Sequence, residues 1–259
     1  MSSGSLSFDR AASYYDRTRP ISRTALPRVM ELLVRELEGR GHCLDMGVGT
    51  GIVSIPLAER GIPVIGLDLS RPMLERLREK AGGAAPLPLV QADATAMPFR
   101  DGAFGGAVIR HVLHLIPDWE RALGELLRVV RPGGVVLVNH GEYPEGLREL
   151  FDRFVREARV ERPWVGLGHD ELDRVHGWMR SRGAAIRPLE PVREEVEEPL
   201  ERFVEGMREG HYSWTWEVED RVRLEAANRV AAWAARELGP LDRPMRREAE
   251  IAFWAYDVP

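Results

Sequence analysis

His42-Cys43-Leu44-Asp45-Met46-Gly47-Val48-Gly49-Thr50-Gly51 is the stretch on which the fold turns. Five residues that read as a short buried strand run into glycines at alternate positions, and Gly51 to Arg60 then reads as a helix. At such a junction glycine lets the chain turn tightly and lets another group approach without meeting a Cβ, while the helix start offers free N–H groups. Taken alone the pattern fits a ligand-binding turn and equally a plain strand-to-helix connection. The surrounding sequence has to decide.

Upstream, Val29, Leu32, Leu33 and Leu37 recur at helical spacing and stop at Gly39-Arg40-Gly41. Downstream, Pro63 to Asp68, Leu87 to Ala92, Gly106 to Arg110 and Gly134 to Asn139 read as strands, with helices expected at Arg71 to Ala81 and Trp119 to Val130. Regular alternation of this kind predicts an α/β fold whose parallel strands are joined by crossover helices. After residue 140 the rhythm changes. Arg- and Glu-rich helical patterns occupy Glu145 to Val160, His169 to Arg182, Pro199 to Arg208 and Glu217 to Leu238, with candidate strands at Ala184 to Val196 and Ala249 to Tyr256. The expected organisation is a core of residues 1–140 plus 184–196 and 249–259, with helical insertions at 141–183 and 197–248 that read as a substrate lid.

At 259 residues and 44% hydrophobic content the chain can bury one large core. Its apolar runs break well short of the roughly 20 residues of a membrane span, and Met1 to Arg10 lacks the apolar stretch of a signal peptide, so a cytoplasmic location is expected. Cys43 is the single cysteine, which excludes an internal disulfide and a cysteine-based zinc cluster. A net charge of -5 lacks the basic footprint of a nucleic-acid binder. Among 36 basic residues Lys80 is the only lysine. A monomer or a homodimer is expected.

Two acidic residues raise the value of the glycine turn. Asp68 closes Val64-Ile65-Gly66-Leu67-Asp68, where a carboxylate can accept both ribose hydroxyls of a nucleoside held at the strand ends. Asp93 closes Leu89-Val90-Gln91-Ala92-Asp93, where a carboxylate can accept an adenine amino group. Either alone could be a helix cap or a solvated loop residue.

Together with Phe8-Asp9-Arg10-Ala11-Ala12-Ser13-Tyr14-Tyr15-Asp16, Leu44 to Gly51, Gly66 to Ser70, Asp93 with Met97-Pro98-Phe99, His111 to Asp118 and Leu127 to Gly134, these motifs run in one order. In that order the chain, from Phe8 to about Val138, resembles the class I methyltransferases, in particular the small-molecule group that includes ubiquinone and menaquinone biosynthesis methyltransferases. The resemblance implies a Rossmann-like, mostly parallel seven-stranded sheet with helices on both faces. It implies S-adenosyl-L-methionine as cofactor, with no metal, and a small-molecule methyl acceptor. Asp45, Met46, Gly47, Gly49 and Gly51 would meet the methionine part, Asp68 with Leu69 the ribose, and Asp93 with Ala94 the adenine. Met73 would pack on the nucleoside. Tyr14, Tyr15 and Arg19 would close over the cofactor, unless the tyrosines belong to a helix packed on the core.

Two departures stand out. Phe104 is followed by Gly105, where the family often carries an acidic residue, and Arg110 replaces a small polar residue at the end of the fourth strand. A cation beside a sulfonium is unfavourable, so Arg110, counted with the cofactor-facing residues, either points away, pairs with a carboxylate or binds an anionic acceptor. Methyl transfer mainly needs nucleophile and methyl held in line, plus removal of a proton where the acceptor carries one. His114 is the expected base; His111, His140, Glu142, Tyr143 and His211 are weaker candidates.

Other classes fit less well. A nicotinamide dehydrogenase needs a small residue where Ile52 stands, and a base-nitrogen methyltransferase needs a Pro-Pro-aromatic motif where Arg110-His111-Val112-Leu113 stands. A non-catalytic cofactor sensor remains open on sequence. Trp164, Trp178, Trp214 and Trp216 read either as an aromatic roof over the acceptor or as core of the insertions.

Overall fold

Alternation along the central strands sorts the apolar side chains into two layers. Cys43, Val108, Val135 and Leu137 fall on one side, and Leu44, Ala107, Ile109, Val136 and Val138 on the other. A strand places successive side chains on opposite faces, so near-continuous apolar runs can be buried only with helices on both sides. The computed structural model describes residues 4–19, 21–83, 85–140, 147–161 and 163–259.

In chain order the strands are β1 (Cys43–Met46), β2 (Val64–Asp68), β3 (Leu89–Gln91), β4 (Phe104–Arg110), β5 (Val130–Asn139), β6 (Ala185–Pro188), β7 (Val192–Pro199), β8 (Pro244–Ile251) and β9 (Trp254–Asp257). The helices are α1 (Tyr15–Thr18), α2 (Ala25–Leu37), α3 (Ser54–Glu59), α4 (Arg71–Lys80), α5 (Trp119–Val129), α6 (Leu147–Glu157), α7 (Leu172–Arg180), α8 (Leu200–Glu209) and α9 (Asp220–Glu237). Seven strands form one sheet in the order β3-β2-β1-β4-β5-β9-β6. Neighbours from β3 to β5 are parallel, and β9 runs antiparallel to both β5 and β6. This is the expected mostly parallel seven-stranded sheet. Its order reverses between β1 and β4, and in open α/β sheets ligands bind beyond the strand C-termini at such a switch point.

Helix α4 shows how sequence places the site. Ser70 caps it by accepting the amide of Met73, a proline sits in its first turn, and Met73, Leu74 and Leu77 are buried. Helix α5 is capped by Asp118, which accepts from the Arg121 amide, and buries Trp119, Ala122, Leu123, Leu126 and Val129 at helical spacing.

The chain divides into two compact units: residues 1–141, 165–192 and 251–259, and residues 142–164 and 193–250. Three expectations change. Residues 184–196 are two strands in two different sheets, β6 and β7, because Pro188 and Pro191 interrupt the ladder's N–H donors. Residues 249–256 likewise break at Ala252–Phe253, so that β8 pairs with β7 and β9 joins the main sheet. Residues 165–183, expected in an insertion, belong to the first unit. There α7 buries Val175, Trp178 and Met179 in the layer of Leu126, Val136 and Tyr256 and forms part of the connection between β5 and the like-directed β6.

The second unit has its own core, in which Phe151, Phe154, Val204, Trp214 and Val230 are buried. Phe151 stacks on Trp164 and meets Trp214 edge-on, and the Trp216 Nε1 donates to the Gly210 carbonyl at 2.9 Å. Trp178 lies in the core of the first unit under the guanidinium of Arg182, 3.4 Å from its ring centre. Trp164, Trp178 and Trp214 thus serve as packing.

Candidate functional site

The turn from β1 into α3 carries three left-handed glycines, Gly47 (φ 80°), Gly49 (φ 52°) and Gly51 (φ 77°). A Cβ on Gly47 would stand 2.3 Å from Val112, so only glycine lets the segment after β4 close against this turn. Asp68 ties the turn to the end of β2: its carboxylate accepts the Gly49 amide and the Ser70 amide, each at 2.8 Å. At the end of β3 one oxygen of Asp93 accepts both the amide and the hydroxyl of Thr95 at 2.8 Å.

These strand ends open into one cavity of about 620 Å³, counting the space continuous with solvent. Of the residues expected to bind the cofactor, Tyr15, Gly47, Gly49, Asp68, Leu69, Met73, Asp93, Ala94 and Arg110 line it. Ser5, Leu6 and Phe8 from the N-terminal segment, and His111, Val112, Leu115 and Ile116 after β4, complete the wall.

Several expected residues are not on that wall. Gly51 lies beneath the turn, close against Ile55 and Leu77. Met46 points into the core. Asp45 is only 4% exposed and accepts the hydroxyl of Ser54 from α3. Arg19 stands behind the wall, its guanidinium 5.9 Å from the ring centres of both Phe8 and Tyr15. Tyr14 is likewise absent from the lining, so of the tyrosine pair Tyr15 alone faces the cavity.

The histidines are redistributed in the same way. His114, the expected base, is 2% exposed and packs its ring 5.1 Å from that of His169, away from the cavity wall. His140 is 4% exposed; its Nε2 bonds the Gly168 carbonyl at 2.7 Å, and its Nδ1 has no partner among the described residues. Since a carbonyl only accepts, Nε2 carries the proton. His111 does line the cavity, on a backbone with φ 55°. His211 lies in the second unit beside Glu209, and Glu142 and Tyr143 fall outside the described residues.

Burial sets the electrostatics. Desolvation pushes the Asp45 carboxyl up to about 6, against the hydrogen bond from Ser54. Asp68 is also raised by burial, with the Ser70 and Gly49 amides opposing the shift. Burial lowers the guanidinium of Arg110 and holds His111 and His114 well below the ordinary imidazole range. No carboxylate lies within ion-pair distance of Arg110 among the described residues, and its buried Nε makes no hydrogen bond to them. Among the described residues Arg110 therefore pairs with no carboxylate, and it lines the cavity rather than pointing away from it.

A contact not read from the sequence pins the N-terminal segment. Asp16 of α1 accepts the Thr50 hydroxyl of the glycine turn at 2.5 Å and the Lys80 ammonium at the end of α4 at 2.9 Å. The three positions are 34 and 64 residues apart along the chain, so no local pattern links them.

Residues 44–138 match the methyltransferase domain family. Over that span the chain is similar to the class I S-adenosylmethionine-dependent methyltransferases. It is 34% identical over 139 residues to the demethylmenaquinone methyltransferase of Clavibacter sepedonicus, covering 51% of this chain and 55% of that protein. It is 42% identical over 104 residues to the phosphatidylethanolamine N-methyltransferase of Cereibacter sphaeroides, covering 39% and 51%. The chain thus spans about half the length of the curated relatives it matches. The crystal structure of the YcgJ protein from Bacillus subtilis shares the fold, with a TM-score of 0.61 at 16% identity over 92% of this chain and 100% of that one. Among the described residues no helix is long and apolar enough to cross a membrane, and no group of three His, Cys, Asp or Glu side chains is placed to hold a metal ion.

Proposed function

We propose that this methyltransferase chain binds S-adenosylmethionine in the cavity at the ends of β1, β2 and β3 and methylates a small-molecule acceptor. The observation that carries the reading is the convergence of Asp68 and Asp93 on the cavity opened by Gly47 and Gly49. The fit rests on that arrangement. The Gly49 and Ser70 amides aim the Asp68 carboxylate while leaving lone pairs to accept ribose hydroxyls, and Met73 and Leu69 offer apolar surface for an adenine. When bound, the cofactor supplies a methyl group made electrophilic by the sulfonium. The protein's part is to hold, orient and exclude water: Tyr15 and Phe8 cover the cavity from the N-terminal segment, and Arg19 behind them offers a positive charge to a carboxylate. Relatives named for a quinone and for a phospholipid substrate support a small organic acceptor. A net charge of -5 argues against nucleic acid, and one reduced, buried cysteine suits the cytoplasm.

Calorimetry with S-adenosylmethionine and S-adenosylhomocysteine, without added metal, tests the binding half: heat and a thermal shift are expected, and their absence with both ligands refutes it. Release of S-adenosylhomocysteine in a screen of metabolite acceptors tests the transfer. Binding without turnover on any of them would make the chain a sensor.

A further inference from the structure

We propose that Arg110 and His111 together form the acceptor end of the cavity, built to take a weakly acidic hydroxyl on an apolar body and to hold it as its oxyanion. The proposal rests on the methyltransferase reading above.

Three observations carry it. The first is that Arg110, at the last position of β4, brings a permanent positive charge to the cavity wall with neither an ion pair nor a hydrogen bond among the described residues. A half-buried cation whose Nε is buried without a partner among the described residues is costly, and an anion arriving in the cavity reduces the cost. The second is that His111, the next residue, faces the same cavity, and its ring makes no hydrogen bond among the described residues. Burial and the neighbouring Arg110 keep that ring neutral, so it offers a nitrogen lone pair. The third is the His111 backbone, at φ 55°, a left-handed conformation that histidine, like Asn and Asp, enters more readily than most residues. That conformation sets the residue on the cavity wall. Its amide, bonded to the Asn139 carbonyl at 3.0 Å, fixes the aim against the end of β5.

The other imidazoles are less suited. His114 is packed against His169, and His140 gives its proton to Gly168; neither reaches the wall. Val112, Leu115 and Ile116 flank the pair and supply the apolar surface for the rest of the acceptor. The other charged or titratable groups acting on the pair are Tyr15 and Arg19 from the N-terminal segment, Asp45 from β1, and His114 and His169.

In chemical terms, the acceptor's O–H bond breaks with its electron pair left on oxygen, and the proton passes to a ring nitrogen of His111. The oxygen, held beside Arg110, forms its new bond to the methyl carbon, and the carbon–sulfur bond breaks with its pair kept by sulfur. His111 then returns the proton to water. The transient imidazolium lies beside Arg110, and the oxyanion between them is what makes that charge tolerable.

The test uses the full chain saturated with S-adenosylhomocysteine and 4-nitrophenol as probe, whose yellow phenolate reports its own ionisation. In the wild type the bound probe should ionise at a proton concentration about tenfold or more above that needed in water. Arg110→Met should remove the shift and weaken probe binding about tenfold. His111→Asn, which keeps the left-handed backbone accessible, should still bind the phenolate. Calorimetry in buffers of different ionisation heat should then show about one proton more released to solvent than in the wild type. A probe that fails to bind, an unshifted ionisation, or equal proton release by wild type and His111→Asn each overturns the proposal, while S-adenosylhomocysteine binding leaves the cofactor reading standing. Loss of S-adenosylhomocysteine binding in the wild type brings down both.

Discussion

The two ends of the cavity differ in how their polar groups are satisfied. At the ends of β2 and β3, Asp68 and Asp93 accept hydrogen bonds from the protein's own amides and from Thr95, so their carboxylates are aimed before any ligand arrives. At the end of β4, Arg110 and His111 carry a charge and a lone pair that no described residue satisfies. A group fixed by neighbouring amides can recognise one ligand shape with little reorganisation, whereas an unsatisfied buried group contributes its binding energy to whatever completes it. On the proposed assignment, the cofactor end would be specific by geometry, and the acceptor end by charge and proton demand.

β4 carries Arg110 and pairs with β1, which leads into the glycine turn, so the contrast breaks most completely there. A Cβ on Gly105 would lie 1.7 Å from the Arg40 carbonyl oxygen, so no side chain has room there. Gly105→Asp should cost about 4 kcal/mol or more and abolish binding at both ends, read as a collapsed thermal transition.

Asp45 tests the cofactor end from beneath. Its carboxyl, raised to about 6 from 3.8, binds its proton more tightly folded than unfolded. Its contribution to stability is therefore complete below pH of about 4 and is lost as pH rises to about 6, by up to about 3 kcal/mol. Asp45→Asn keeps an acceptor for Ser54 and should remove this slope. The difference between wild-type and variant unfolding curves isolates it from the ion-paired carboxylates, whose slopes have the opposite sign. Parallel curves would place the Asp45 proton elsewhere.

Asp68→Ala should weaken S-adenosylhomocysteine binding by about 1.5 to 3 kcal/mol while leaving 4-nitrophenol contacts at Arg110 intact. An unchanged dissociation constant in a folded variant would move the ribose away from β2. The smallest effect is expected at Asp16, whose ion pair with Lys80 is about one-third exposed on each side. Asp16→Ala should cost the cofactor at most about 1 kcal/mol, and that difference should shrink in high salt, measured by calorimetry at two ionic strengths.

Local chemistry made the cofactor end readable. Glycines at the end of a strand and acids closing the next two strands are short-range signals, and the mostly parallel seven-stranded sheet implied by the family resemblance is the sheet observed. The acceptor end depended on long-range facts. That His114 turns inward to His169 and leaves His111 on the wall follows from a left-handed residue and from a loop 55 positions away, neither visible in the periodicity. The division of residues 184–196 between two sheets was signalled by Pro188 and Pro191. The pairing of β7 with β8 joins segments about 50 residues apart and carries no such signal.

Lys80 closes the contact that holds α1 to the glycine turn, and the chain contains no other ε-amine. Amine-directed labelling therefore reports on one side chain besides the chain terminus, with no mutagenesis needed. Reductive methylation with isotopic formaldehyde would place a single side-chain spectroscopic probe where the N-terminal segment meets the cofactor turn, and its reaction rate with and without S-adenosylhomocysteine would time the opening of that segment.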